Sequence, residues 1–255
     1  MGVNIPTNPL EVNSNLWSNK PPKACNGITT VLKDPQLILI DLDGTLVDSV
    51  PDLTWAVDRT MEALGQPTHG EDKVRDWVGN GIERLVKRAL TDDLWAEPEQ
   101  AEYDRAYPVF FDFYHQANGR YSRLFPGVDE GLQALSNAGY TLACVTNKAE
   151  AFTLPLLESL GIREFFKLVV SGDTLAQKKP EPEPLWHAAD QLGVARERAL
   201  MVGDSAHDVE AARRAGFQVA CVPYGYNHGN DIREARPDLM IDSLSDLARR
   251  LQEAA

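Results

Sequence analysis

Short apolar runs recur along the chain: LILIDL (37 to 42), TLACVT (141 to 146), KLVVSG (167 to 172), ALMVGD (199 to 204), QVACVPYG (218 to 225) and LMIDS (239 to 243). Rich in β-branched and aliphatic residues, they read as strands, and the first reads as a buried, central one. Helical segments separate them. VDEGLQALSNAGY places Val128, Leu132, Leu135 and Ala138 near helical spacing and then meets Gly139, a stop signal. EAFTLPLLESLGI, EPLWHAADQLGV and SAHDVEAARRAGF have the same form, a helix closed by glycine before the next strand. Alternating strands and helices predict an α/β fold, a doubly wound parallel sheet with helices on both faces.

One interval breaks this rhythm. Between the first run and the second lie about 95 residues without a strand-like run, far more than one crossover requires. DLTWAVDRTMEALG and GIERLVKRAL carry amphipathic helical patterns, with Leu53, Ala56, Val57, Met61 and Leu64 in the first and Ile82, Leu85, Val86, Ala89 and Leu90 in the second. AEYDRAYPVFFDFYHQANG reads as a third, aromatic-rich helix that Pro108 starts or kinks. The expected organisation is therefore a flexible N-terminal extension over 1–35, a core built from 36–50 and 124–255, and an inserted helical domain over 51–123. The extension is rich in Asn and Pro and lacks the pattern of a signal peptide, with Leu16 and Trp17 as expected anchors.

Composition narrows the function. The 255 residues carry a formal charge of −13, are 43% apolar and 25% charged, and hold no apolar run long enough to cross a bilayer. Such a charge repels nucleic-acid backbones and anionic membranes, so neither is an expected partner and a small molecule is. An anionic substrate would need local positive charge, from a metal ion or a placed lysine. Cys25, Cys144 and Cys221 are odd in number and far apart, which predicts neither disulfides nor structural zinc, and a reducing, cytoplasmic compartment. Cys144 and Cys221 read as small buried hydrophobes. Monomer and homodimer both stay open.

In a parallel α/β sheet, ligands bind at the carboxyl ends of the strands. Those ends carry Asp41, Asp43, Gly44 and Thr45; then Thr146 and Asn147; then Lys178 and Lys179; then Gly203, Asp204, Ser205 and Asp208. Clustered carboxylates at neighbouring strand ends destabilise one another unless a cation binds, so they predict an acidic metal pocket.

DLDGT, VTN, the lysine of KKPEP and GDSAHD, in this order, resemble the four motifs of the haloacid dehalogenase superfamily over roughly residues 36 to 250. The insert sits where the helical cap of one of its branches sits. The resemblance implies a phosphatase in which Asp41 attacks phosphorus to form an aspartyl-phosphate, while Asp43 protonates the leaving alkoxide and then activates water. It implies Mg²⁺ held by Asp41, the backbone carbonyl of Asp43, and Asp204. Thr146, Asn147 and Lys179 would hold the transferring phosphoryl group. Lys179 is preferred to Lys178 because it precedes the first proline of K-P-x-P.

Asp48 and Asp208 stand open between a direct and a supporting role, Thr45 and Ser205 between site support and simple capping, and His207 is expected to face solvent at a helix start. WVGNG, just before a helix, places Gly79, Asn80 and Gly81 where backbone N–H groups can meet an anion. Arg84 and Lys87 are weaker candidates for recognising a carboxylate. DSVPDL, WVGNG, FYHQAN, VTNK, KKPEPEPL and YGYNHG together are similar to the bacterial phosphoglycolate phosphatases, which implies 2-phosphoglycolate as substrate. Sugar-phosphate or nucleotide phosphatases and phosphomutases share the core motifs and stay open. A non-catalytic module on this fold would be expected to lack Asp41, Asp43 or Lys179, and all are present. Residues 46 to 51 and 122 to 127 are the expected hinges of cap closure.

Overall fold

A computed structural model of the protein describes residues 32–254. Cys25, Leu16 and Trp17 lie outside that range. The chain runs β1 (Leu37–Ile40), β2 (Val47–Asp48), α1 (Val50–Ala63), α2 (Gly70–Trp77), α3 (Ile82–Thr91), α4 (Gln100–Ala117) and β3 (Arg123–Leu124). It continues through α5 (Val128–Asn137), β4 (Thr141–Val145), α6 (Glu150–Ser159), β5 (Leu168–Val170), α7 (Glu183–Leu192) and β6 (Ala199–Gly203). The last elements are α8 (Ala206–Ala215), β7 (Gln218–Cys221), β8 (Leu239–Met240) and α9 (Leu244–Glu253).

The expected apolar runs all pair in one sheet, in the order β5-β4-β1-β6-β7-β8. Every pairing in it is parallel, and β1 sits centrally, with Leu37 opposite Thr141 on one side and Ala199 on the other. Alternation along β1 divides the core. Ile38 and Ile40 face α5, α6 and α9 through Leu132, Leu135, Leu156, Leu157, Leu244 and Leu247. Leu37 and Leu39 face α7 and α8 through Leu185, Ala188, Ala189, Val209, Ala211 and Ala212. Burial on both faces is why β1 reads as an unbroken apolar run. Cys144 and Cys221 are buried in these two cores, as small hydrophobes.

The insert has its own core, in which Leu53, Val57, Val74, Leu85, Phe110 and Tyr114 are buried together. Three features here differ from the expectation. α2 was not anticipated, because its sequence GEDKVRDW buries only Val74 and Trp77 and leaves too faint a periodicity. α4 continues through Pro108, so that proline does not start the helix. β2 and β3 form a two-stranded antiparallel ribbon, Val47 opposite Leu124 and Asp48 opposite Arg123, where the chain leaves the core and returns to it. Two-residue strands are too short to show an alternating pattern. The C-terminal helix α9 also lay outside the expected elements.

Asp52 ties the two crossings together. It lies in the first turn of α1, where the helix dipole favours a carboxylate, and is fully buried. It accepts hydrogen bonds from the Gly119 N–H at 2.7 Å, the Tyr121 N–H at 2.6 Å and the Ser122 hydroxyl. Asp52→Ala leaves those donors without an acceptor, a cost of about 3 kcal/mol. We expect its melting temperature to fall by roughly 6–12 °C in calorimetry; a fall under about 2 °C would show that water replaces the carboxylate.

Candidate active site

β1 ends against the neighbouring ladders, with the Asp41 N–H donating to the Val202 carbonyl at 2.9 Å, and the chain must then turn sharply away. Gly44 makes the turn at φ +90°, and any Cβ there would overlap the Asp204 carboxylate and the Tyr226 ring. The same close approach lets the Thr45 hydroxyl donate to Asp204 Oδ1 at 2.7 Å, while the Tyr226 N–H donates to Oδ2 at 2.5 Å. Thr45 thus supports the site rather than capping a helix.

Asp41, Asp204 and Asp208 each place a carboxylate oxygen within 4.8 Å of the others. Lys179 Nζ lies 2.8 Å from Asp41 and 2.7 Å from Asp208, and also donates to the Val145 carbonyl at 2.8 Å. The preference for Lys179 over Lys178 agrees with this placement. Burial raises the Asp41 carboxyl to about 7, outweighing the nearby Lys179 charge. Burial likewise pushes Asp204 well above the usual carboxylate range, with repulsion from Asp208 and Asp41 adding to it. Burial also opposes ionisation of Asp208, but Lys179 and the Ser205 hydrogen bonds win and hold it below its usual value.

These differences sort the carboxylates by what they have left to offer. Asp208 accepts from the Asp204 and Ser205 N–H groups and from the Ser205 hydroxyl, besides Lys179, so its lone pairs are largely taken. Asp41 Oδ1 is buried and pairs with the Lys179 ammonium at 2.8 Å, a smaller set of partners than Asp208 has. Asp41 and Asp204 therefore fit a hard cation that prefers oxygen ligands, and Asp208 fits the role of holding Lys179 and the turn into α8.

The remaining residues meet the cavity unequally. It is lined on the core side by Asp41, Asp43, Thr146, Asn147, Lys179 and Asp204, and on the insert side by Leu53, Val78, Gly79, Gly81, Ile82 and Leu85. Asn147 Nδ2 donates to the Gly79 carbonyl at 3.1 Å and to the Lys179 carbonyl at 3.0 Å, joining the loop before α3 to the core. Gly81 adopts φ +86° immediately before α3 and approaches the Asn147 carbonyl. Asn80 turns its amide to Arg88 at 2.8 Å and to His207 at 3.3 Å.

Arg84 and Lys87 point elsewhere: both pair with Glu97, and neither lines the cavity. His207 does not face solvent as expected; it lines the cavity, and burial lowers its pKa. Its helix start lies under the insert, which a reading of α8 by itself does not reveal. Asp48 lies outside the cavity and accepts from the Tyr226 hydroxyl, with Arg75 at 3.4 Å, a bracing contact at the crossing into the insert.

Lys148 was not among the expected site residues. It is 4% exposed, lines the cavity, and places Nζ 3.2 Å from Asp43 Oδ1 and in contact with the Tyr114 hydroxyl. Burial disfavours its charge, but Asp43 and Tyr114 hold its pKa above the usual lysine value. Its position directly after Thr146 and Asn147 was the available signal. Tyr114 left none, being one aromatic among many in α4.

Residues 38–222 match the sequence family described as haloacid dehalogenase-like hydrolase. The chain is 56% identical over 225 residues to a phosphoglycolate phosphatase of Nitrosococcus oceani, covering 88% of this chain and 100% of that protein. It is 43% identical to phosphoglycolate phosphatase 1 of Pseudomonas aeruginosa, covering 87% of this chain and 81% of that one. Among solved structures, it is similar to one described as a predicted phosphoglycolate phosphatase from Haemophilus somnus, with a TM-score of 0.80 and 34% identity, covering 86% of this chain and 98% of that one.

The raised Asp41 value makes a stability prediction with a definite sign. Its folded value of about 7 stands above the unfolded 3.8, so the unfolded chain gives up the proton first and stability falls as pH rises between the two. Asp41→Asn removes that cost. Without divalent cation, the variant should melt about 5 °C above the parent at pH 8, and the gain should shrink toward pH 4. A variant less stable than the parent at pH 8 would contradict the electrostatic reading.

Proposed function

Because the chain belongs to the haloacid dehalogenase-like hydrolases, we propose that it is a phosphatase that releases inorganic phosphate from 2-phosphoglycolate. The name shared by its relatives at 43 and 56% identity carries the choice of substrate. The geometry supports the chemistry independently. Phosphate monoesters resist hydrolysis so strongly that an enzyme must supply a nucleophile, an acid for the leaving oxygen and positive charge for the transferring group. Asp41, Asp43 and Lys179 line one cavity in positions suited to those three tasks.

In this reading, Asp41 attacks phosphorus and becomes an aspartyl-phosphate as the bond to the glycolate oxygen breaks. Asp43 gives its proton to that oxygen, then takes one from the water that attacks the acyl-phosphate. Lys179, Thr146 and Asn147 hold the phosphoryl oxygens. Mg²⁺, bound by Asp41, Asp204 and the Asp43 carbonyl, would supply the remaining positive charge against the spreading negative charge. Lys179 keeps Asp41 oriented, and Asp208 keeps Lys179 in place.

Residues 51–123 act as the cap over the core of 36–50 and 124–255, with Gly79, Asn80 and Gly81 closing over the substrate. The ribbon of β2 and β3 and the segments beside it, 46 to 51 and 122 to 127, carry the closing motion. Among the described residues no helix is long and apolar enough to cross a membrane. Action in the cytoplasm on a small phosphorylated substrate, as a monomer or homodimer, completes the proposal.

A panel of small phosphate esters, assayed with Mg²⁺ and with chelator, tests it. We expect kcat/KM for 2-phosphoglycolate to exceed that for sugar phosphates at least about 100-fold, chelation to abolish turnover, and Asp41→Asn to lower kcat at least about 1,000-fold. Equal rates across the panel would refute the substrate. Turnover persisting in Asp41→Asn would refute the mechanism.

A further inference from the structure

Two lysines line the cavity, and they pair with different aspartates. Lys179 is engaged by Asp41 and Asp208, on the side where the phosphoryl group transfers. Lys148 stands against Asp43, with Nζ 3.2 and 3.3 Å from the two carboxylate oxygens. If Asp43 protonates the leaving oxygen, that oxygen must touch Asp43. In a glycolate leaving group, the carboxylate is joined to the carbon beside that oxygen, so its oxygens lie only roughly 3 Å away. The cation beside Asp43 is then within reach of the substrate's second negative charge.

We propose that Lys148 binds the carboxylate of the leaving group and is the specificity-determining residue of the site, with Tyr114 as the positioning residue that holds it. This rests on the reading of Asp43 given above. The three donors of the ammonium meet the two Asp43 oxygens and the Tyr114 hydroxyl, so a substrate carboxylate takes the place of one of the two Asp43 contacts. The insert walls Leu53, Val78, Ile82 and Leu85 bring no charge, and Arg84 and Lys87 are held by Glu97. The backbone around Lys148 is fixed on both sides. Its N–H donates to the Thr146 hydroxyl at 3.2 Å, and its carbonyl accepts from the Gly172 N–H at 2.7 Å.

Tyr114 belongs to α4, in the insert, and is fully buried; its ring centre lies 4.9 Å from Lys148 Nζ. The insert therefore holds a core lysine in the position where the leaving group arrives. A leaving group without an anion would gain nothing from this contact, so the pair rewards carboxylated substrates over neutral ones.

The test compares 2-phosphoglycolate with ethyl phosphate, which has the same ester linkage and no carboxylate. We expect Lys148→Met to lose about 100-fold to 1,000-fold in kcat/KM on 2-phosphoglycolate, mainly through KM, against under about 10-fold on ethyl phosphate. Lys148→Arg, which keeps the charge, should retain most of the discrimination and guards against a methionine variant that does not fold. Tyr114→Phe should lower the ratio of the two rates severalfold while the parent fold melts at nearly the same temperature. Equal losses on both esters would overturn the proposal, since Lys148 would then act only by adjusting Asp43. Unaltered discrimination in Lys148→Met would overturn it as well. A parent enzyme that shows no preference for 2-phosphoglycolate would instead refute the substrate reading itself.

Discussion

Asp41, Asp204 and Asp208 crowd their oxygens within 4.8 Å at the carboxyl edge of the sheet, and like charges in that space repel strongly once removed from water. Everything around the cavity answers this constraint. Lys179 is buried between two of the carboxylates, Asp208 is satisfied by the first turn of α8, and Asp204 is held by Thr45 and the Tyr226 N–H. Asp41 is answered by Lys179, 2.8 Å from its Oδ1, yet burial still resists its ionisation. If Asp41 is the nucleophile, as proposed, the instability of this edge and its chemistry have one origin.

The insert is bound to that edge by contacts that reach the reacting groups. Asn147 spans from the core to the Gly79 carbonyl and Tyr114 reaches Lys148. Within the core, Tyr226 contacts Asp204 through its backbone and Asp48 through its hydroxyl. Arg75 of α2 stacks over the Tyr226 ring at 5.3 Å and reaches Asp48 as well. Movement of the insert would therefore be felt at Lys148, Asp204 and the loop before α3 together. Asp52 lies apart from these contacts and joins only the two crossings, which suits a group that keeps the connection intact whatever the insert does.

The core was legible in the sequence because its strands are buried on both faces and its helices end in glycine, both strong local signals. Strand ends likewise exposed Asp41, Asp43, Lys179 and Asp204, since charge at the end of an apolar run conflicts with burial unless it serves a site. Lys148 escaped because a lysine after a strand is ordinarily solvated; only the approach of α4 from far along the chain buries it. His207 escaped for the same reason, being covered by Asn80 of the insert. α2 and the ribbon of β2 and β3 were too short or too polar to show periodicity, and they are stable through packing rather than propensity. Asn80, Arg84 and Lys87 show the converse: sequence placed them near the right loop, but side-chain partners decide which way they point.

Thr146, Asn147 and Lys148 are consecutive, and consecutive Cα atoms stand about 3.8 Å apart. One short stretch of backbone, pinned by Thr146 N–H to the Val170 carbonyl and by the Lys148 carbonyl to Gly172, thus presents both the hydroxyl proposed to hold the phosphoryl group and the cation proposed to meet the leaving group. The sheet holds the backbone of this stretch, and Asp43 and Tyr114 hold the Lys148 side chain. Any Cβ at Gly172 would overlap the Asn147 backbone, so the stretch is also packed closely from behind and has little freedom to lengthen. Under the proposed reading, a leaving group longer than glycolate would carry its second charge past Lys148 and toward the apolar wall of Leu53, Val78 and Leu85. Under the proposal, selectivity for a small acid follows from a core segment, and the insert contributes by holding the lysine and closing off the room beyond it.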